Sequence, residues 1–278
     1  MPELPEVEVI ARALSEGGRG AAPITGKTIR SVMVLWPRTV EHPTLPDLTD
    51  RLTNCQIHAV NRRGKYIVIS LSGGTLLIHL RMSGDLRVEQ QFDEQGNLNP
   101  LRKHDRVSFV LTEGLRLVFE DARKFGRIWF VDDPTEVTGE LGPEPLDPSF
   151  EADRLYEMLS RRRRQLKPLL MDQKFIAGLG NIYTDEILFE AGLHPLRSSE
   201  QIGVAQTGAL LNAIRKVLRT AIEQNGSSID WAYRGGEFQN TFNVYQRVGE
   251  PCPRCGTQIE KIIVGQRGTH FCPNCQPL

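Results

Sequence analysis

The sequence lacks an excess of charge of either sign, since 34 lysines and arginines balance 34 aspartates and glutamates in 278 residues. Net charge therefore points to no polyanionic partner, and any reading of nucleic-acid binding rests on how the charges are placed. No apolar run is long enough to cross a bilayer. The opening Met-Pro-Glu-Leu-Pro-Glu-Val-Glu has neither a basic n-region nor an apolar h-region, so neither secretion nor membrane insertion is expected. Cysteine is scarce at five residues. Four of them form two close pairs near the C-terminus, which in a cytosolic protein suggests metal rather than disulfides. Cys55 stands alone and reads as a small buried hydrophobe. The remainder is ordinary: 40% hydrophobic and 24% charged residues describe a globular chain, long enough to favour two domains.

Apolar Val7, Ile10, Ala11 and Leu14 recur at helical spacing after Pro5, and Gly17, Gly18 and Gly20 end that helix. Short runs rich in Val, Ile, Leu and Phe follow at 29–35, 66–71, 75–80, 106–111, 115–119 and 127–131. Turn signals such as Gly73-Gly74 and Glu113-Gly114 separate them, and a β-sandwich fits best. The segment 141–148 carries Pro143, Pro145 and Pro148 and reads as an interdomain linker. Helical pattern then covers 152–163, 166–171, 182–191 and a long stretch from about 200 to 224, closed by Asn225-Gly226. The C-terminal segment has too little apolar residue for a core of its own and needs a metal to fold.

That metal is legible in the spacing. Cys252-x2-Cys255 and Cys272-x2-Cys275 form two knuckles, the arrangement that holds tetrahedral Zn²⁺ by four thiolates. With no open coordination position the ion is structural, and it holds an intervening hairpin over 257–270. Gly265-Gln-Arg-Gly-Thr269 at the tip presents Arg267 between glycines, a placement suited to a phosphate. Arg161 to Arg164, with Lys167 a turn later, form a cluster usable for phosphates; taken alone it is equally a solvated helix face.

Several blocks, in order from first residue to last, resemble the formamidopyrimidine-DNA glycosylase family. They are Pro2-Glu-Leu-Pro-Glu-Val-Glu8, Arg62-Arg-Gly-Lys-Tyr66, His79-Leu-Arg-Met-Ser-Gly84, Asp121-Ala-Arg-Lys-Phe-Gly126, Leu141-Gly-Pro-Glu-Pro145, Gly178-Leu-Gly-Asn-Ile-Tyr183 and the zinc hairpin. Each is weak alone; together they are specific. The resemblance implies an α+β multidomain chain. Its parts are an N-terminal β-sandwich with a flanking helix (1–138), a helical domain with a helix-two-turn-helix motif (139–238), and a zinc-bound β-hairpin finger (239–278). It also implies a base excision repair enzyme for oxidised purines, a monomer acting on damaged double-stranded DNA, bacterial, cytoplasmic and nucleoid-associated, with one structural zinc.

Residue by residue, the resemblance makes Pro2 the nucleophile once Met1 is removed and Glu3 the general acid, supported by Glu6. Lys65 then assists β-elimination, and Arg267 holds a phosphate and is linked to δ-elimination. Met82, Arg123 and Phe125 match residues that fill the void left by an everted base. His104, Arg123 and Arg163 match DNA contacts, and His79, Asn181 and Tyr245 match phosphate contacts. Read without the family, His79 is a satisfied core histidine, and Met82 and Phe125 are core. Two departures stand out. The segment 226–239 is shorter than the usual base-covering loop, and Gln246 replaces glycine in the Val-Tyr-Gly-Arg pattern, putting the local backbone in doubt. Two rival readings are the endonuclease VIII group, which acts on oxidised pyrimidines, and a DNA-binding zinc ribbon without activity. Leu4 with Met82, Arg123 and Phe125 leans against the first, and the presence of Pro2, Glu3 and Lys65 against the second.

Overall fold

The computed structural model describes every residue except 229–232 and 234, within the 226–239 segment that is shorter than the usual base-covering loop. The chain divides into two compact units. One comprises Met1–Pro2, Glu6–Glu140 and Ser228–Gly236, the other Glu3–Pro5, Leu141–Ser227 and Glu237–Leu278.

The first helix, α1, spans Leu4–Glu16. It buries Val7, Ile10, Ala11 and Leu14 and stops where Gly17 turns to a φ of 89°, a conformation open to glycine at little cost. The strands follow as β1 (Ile29–Val34), β2 (Val40–His42), β3 (Ile57–Arg63), β4 (Tyr66–Leu71), β5 (Gly74–His79), β6 (Gly84–Gln90), β7 (Asp105–Leu111), β8 (Leu115–Asp121) and β9 (Arg127–Val131), with α2 (Leu45–Leu52) between β2 and β3. They form a four-stranded sheet in the order β1-β7-β8-β6 and a five-stranded sheet in the order β2-β9-β5-β4-β3. Inward residues of both sheets, including Ile67, Ile69, Ile78, Phe109, Leu117, Phe119 and Ile128, share one apolar core with α1. This is the expected sandwich. Cys55 lies in the same core, its thiol donating to the Arg51 carbonyl at 3.0 Å.

The second unit holds α4 (Ala152–Ser160), α5 (Leu166–Leu170), α6 (Asn181–Ala191), α7 (Val204–Glu223) and a hairpin of β10 (Glu260–Val264) and β11 (Arg267–Phe271); a short α3 (Thr135–Thr138) closes the first. The last long helix starts at Val204 rather than near 200, because Ser199–Gln201 is a separate 3₁₀ turn and Gly203 precedes the helix proper. The proline-rich 141–148 stretch is neither helix nor strand but is packed. Gly142 N donates to Gln173 O at 2.8 Å, and a Cβ at Gly142 would lie 2.5 Å from the Phe175 backbone.

Helix α6 is buried all round, and two adjacent acids on it are buried with it. Asp185 accepts from Lys167 Nζ at 2.6 Å, from His270 N at 2.9 Å and from the His270 ring at 3.1 Å. Lys167 also donates to Gly268 O at 3.0 Å. Glu186 accepts from the backbone amides of Asn243, Val244 and Tyr245, each at 2.9 Å. One carboxylate thus fixes the zinc hairpin and the next fixes the strand of chain leading to it. Both Lys167 and Asp185 side chains are fully enclosed, so removing one leaves the other charged and unpaired. Asp185→Ala is expected to lower the unfolding free energy by about 3 kcal/mol or more, measured by urea denaturation; a change below about 1 kcal/mol would contradict this account of the hairpin.

Candidate active site and zinc centre

In the second unit, the N-terminus of α6 receives a carboxylate. Glu3, 2% exposed, accepts from Ile182 N at 3.1 Å and Tyr183 N at 3.5 Å. Leu4 N donates to Gly178 O at 3.0 Å. The two glycines of the Gly178-Leu-Gly-Asn motif are explained by this approach. A Cβ on Gly180 would lie 2.3 Å from the Glu3 carboxyl carbon, and one on Gly178 2.6 Å from a Leu4 methyl. The amides of Ile182 and Tyr183 at the helix start are therefore committed to Glu3, a pairing favoured by the positive end of the helix. Asn181 and Tyr245 meet at the same helix start, Asn181 Nδ2 lying 3.4 Å from Tyr245 Oη. The Tyr245 ring is held edge-on by Phe242 and His270, with centroids 5.4 and 5.0 Å away.

Arg267 is exposed but is not the tip of a flexible turn. It is the first residue of β11, paired with Val264 across a two-residue turn, in which Gly265 and Gln266 both have positive φ, 54° and 63°, as a twisted hairpin demands. The arginine run also differs from a free phosphate patch. Arg161 pairs with Glu157 at 3.6 Å, Arg163 with Glu200 at 3.0 Å and Arg164 with Asp172 at 2.7 Å. Arg162 lies over the Phe175 ring at 5.0 Å, and Lys167 is buried. Arg163 keeps its side chain 86% exposed and is the most accessible site residue of that run.

The first unit places Lys65 in the two-residue turn between β3 and β4, after Gly64 at a φ of 56°. Although it sits in a turn at the sheet edge, the residue is only 5% exposed. His79 ends β5, 8% exposed, its Nδ1 accepting from Arg81 N at 3.0 Å and its ring edge-on to Tyr66 at 4.7 Å. Burial, then Arg81 and Lys65, hold its pKa down at about 3. At neutral pH it is an uncharged ring whose Nε2–H is its one donor. Phe125 is 54% exposed and Met82 partly so, which excludes the core reading for Phe125. Arg123 is exposed beside it. His104 precedes β7, its Nδ1 lying 3.4 Å from Arg106.

The four C-terminal cysteines have their sulfurs within 4.8 Å of one another, with Cys252 to Cys275 at 3.8 Å and Cys255 to Cys272 at 3.5 Å. Four sulfurs about 2.3 Å from a tetrahedral Zn²⁺ lie about 3.8 Å apart, so the set fits one structural zinc. Without a cation the thiols differ: hydrogen bonds from Thr257 and Asn274 draw Cys255 down to about 5, while burial and the neighbouring thiols push Cys275 up to about 12. A central dication lets all four ionise together.

Three family models match successive segments: the formamidopyrimidine-DNA glycosylase N-terminal domain over residues 1–128, the formamidopyrimidine-DNA glycosylase H2TH domain over 141–232, and the zinc finger found in FPG and IleRS over 249–278. The chain belongs to the formamidopyrimidine-DNA glycosylase family. A formamidopyrimidine-DNA glycosylase of Chloroflexus aggregans is 44% identical over 100% of this chain and 99% of its own, and one of Protochlamydia amoebophila is 42% identical over 99% of both. Among solved structures, Lactococcus lactis Fpg with DNA containing N7-benzyl-Fapy-dG aligns at a TM-score of 0.88 and 36% identity, covering 100% of both chains. The same enzyme with abasic-site DNA aligns at 0.88 and 36%, covering 99% of this chain and 100% of that one.

One departure from the formamidopyrimidine-DNA glycosylase pattern is now resolved. Gln246, where glycine is usual, keeps a left-handed φ of 62°; the strain is of order 1 kcal/mol, and the side chain is exposed. Asp185 and Glu186 belong to none of the sequence motifs above, although an acid pair on a helix with apolar residues on every side is a signal of internal partners.

Two outcomes are expected. Cys272→Ser should lose stoichiometric zinc and expose the β10–β11 hairpin to protease while the sandwich keeps its thermal transition; unchanged metal content would contradict the four-thiolate site. For His79, an unfolded histidine takes up a proton near pH 6.5 whereas the folded one does so only near 3. Stability attributable to this group is intact above about pH 6.5 and declines as pH falls, by about 1.4 kcal/mol at pH ~5.5. His79→Gln should flatten that slope in pH-dependent denaturation, and an unaltered slope would refute the assignment.

Proposed function

We propose that this chain, a DNA glycosylase and abasic-site lyase for oxidised purines, works through the secondary amine of Pro2 once Met1 has been removed. Family members are DNA glycosylases with lyase activity, and the solved relatives hold Fapy-dG-derived, 8-oxoguanine-type and abasic DNA. The observation that carries the mechanism is the Glu3 carboxylate seated on the α6 amides, one peptide bond from Pro2.

An α-amino group ionises near about 7.7 to 8.0, against about 10.4 for lysine, so a terminal proline is partly neutral at physiological pH without burial. Its nitrogen bonds to C1′ as the bond to the damaged base breaks; the base departs with that electron pair, and the proton given up by the proline nitrogen neutralises it. Glu3 gives a proton to the ring oxygen as the sugar opens, leaving an iminium between proline and C1′. Loss of a C2′ proton expels the 3′ phosphate, and a second elimination expels the 5′ phosphate. Lys65 assists the first, and Arg267, aimed by its place at the start of β11, holds a phosphate for the second. Asn181 and Tyr245 contact the backbone phosphate with His79, and His104 and Arg163 extend the DNA contacts. Met82, Arg123 and Phe125 fill the vacated stack; the half-exposed Phe125 ring supports that reading. Zinc supplies no electrophile here: bound by four thiolates, it holds the hairpin that carries Arg267.

The division at 138/139 and 238/239 into sandwich, helical domain and finger belongs to the same proposal, as do the monomeric state and a cytoplasmic, nucleoid-associated location. Among the described residues no helix is long and apolar enough to cross a membrane.

Borohydride should trap a covalent adduct between Pro2 and a duplex containing 8-oxoguanine, and Glu3→Gln should slow base release by about 100-fold or more. DNA binding without any adduct from protein lacking Met1 would favour a binding module instead.

A further inference from the structure

The residues proposed to fill the void come from two separate loops, Met82 from the β5–β6 connection and Arg123 with Phe125 from the β8–β9 connection. One buried side chain joins them. Asp121, 1% exposed, accepts through Oδ1 from Ser83 Oγ, the residue after Met82, and from Arg123 N at 3.1 Å. Through Oδ2 it accepts from Gly126 N at 2.7 Å. The Arg123 amide is shared with Ser83 Oγ, also at 3.1 Å. The backbone of Asp121 reaches further: its N–H donates to His104 O at 2.9 Å, and its carbonyl accepts from the buried Arg106 Nε at 2.7 Å.

The rest of the loop is equally tied. Arg127 donates to the carbonyls of Phe125 and Gly126 at 3.0 and 2.9 Å, and Lys124 lies 3.9 Å over the Trp36 ring. Neither loop base has room for a side chain. A Cβ on Gly84 would lie 2.5 Å from the Leu80 carbonyl oxygen and 2.9 Å from Phe119 Cε2, and one on Gly126 2.3 Å from Phe119 Cζ. A loop built for its own stability would bury its phenylalanine. This one holds the backbone rigid and leaves Phe125 out, the arrangement of a pre-organised insertion element.

We infer that Asp121 is a positioning residue that locks the Met82 and Arg123–Phe125 loops in one register, so that the three side chains enter a duplex as a unit. The inference rests on the void-filling reading above. Asp121→Asn keeps the shape but replaces one acceptor oxygen by a donor, which faces the Gly126 amide or the Ser83 hydroxyl and separates the loops. Ser83→Ala removes only the hydroxyl link and leaves the buried carboxylate on the β8–β9 loop.

The test compares single-turnover excision of 8-oxoguanine from a duplex with cleavage of a single-stranded abasic oligonucleotide, which has no opposite base and no void. Asp121→Asn is expected to slow duplex excision about tenfold or more with single-strand cleavage unchanged, and Ser83→Ala to give the same pattern more weakly. Asp121→Asn combined with Arg123→Ala should be no slower than Arg123→Ala alone. Equal losses on both substrates, wild-type duplex rates in both variants, or losses that multiply in the double variant would each overturn the inference. If Arg123→Ala alone excises at the wild-type rate, the void-filling reading fails first and the inference falls with it.

Discussion

The Glu3 carboxylate rests on the first free amides of α6, and much of the second unit is shaped to let it do so. Helix starts leave unpaired N–H groups that must find acceptors. Here a residue from the start of the sequence provides them, and glycines at 178 and 180 clear its path. The covalent order of the chain then fixes Pro2 one residue away. A lysine elsewhere in the fold would need burial or a charged neighbour to become nucleophilic at neutral pH; a terminal proline needs its preceding residue removed.

Helix α6 organises the remainder of that unit from within. Its Asp185 and Glu186 face opposite demands, one holding the β11 backbone through His270 and Lys167, the other the backbone of Asn243–Tyr245. The zinc thiolates close the far end, where Arg254 caps the helix by donating to Phe189 O at 2.8 Å. Arg267 is therefore positioned from both sides, by a metal knuckle and by a buried ion pair. In the first unit Asp121 has a comparable place, gathering amides rather than cations. In both units, buried carboxylates set the direction of exposed side chains.

What the sequence revealed follows the range of its physics. Cysteine spacing and strand periodicity are local, and the zinc site and six of the sandwich strands were legible at close to their observed limits. Strands β2, β3 and β6 and helix α2 were not. Ile57–Arg63 and Gly84–Gln90 carry His58, Asn61, Asp85 and Glu89 on their outer faces, which hides an apolar alternation of only a few residues. Lysine burial was illegible for another reason. Lys167 is enclosed because Asp185 meets it and Gly268 receives its second hydrogen bond, partners 18 and 101 residues away in sequence. Arg161–Arg164 looked like one patch and is instead a set of separate pairs, since Glu157, Asp172 and Glu200 come from three separate stretches of chain.

The central claim is that the reactive atom is the nitrogen of a proline with nothing before it. Intact-mass analysis of the fully active protein tests this most directly. The account predicts a first residue of Pro2, with activity proportional to the fraction so processed; full activity in a preparation that retains Met1 throughout would contradict it.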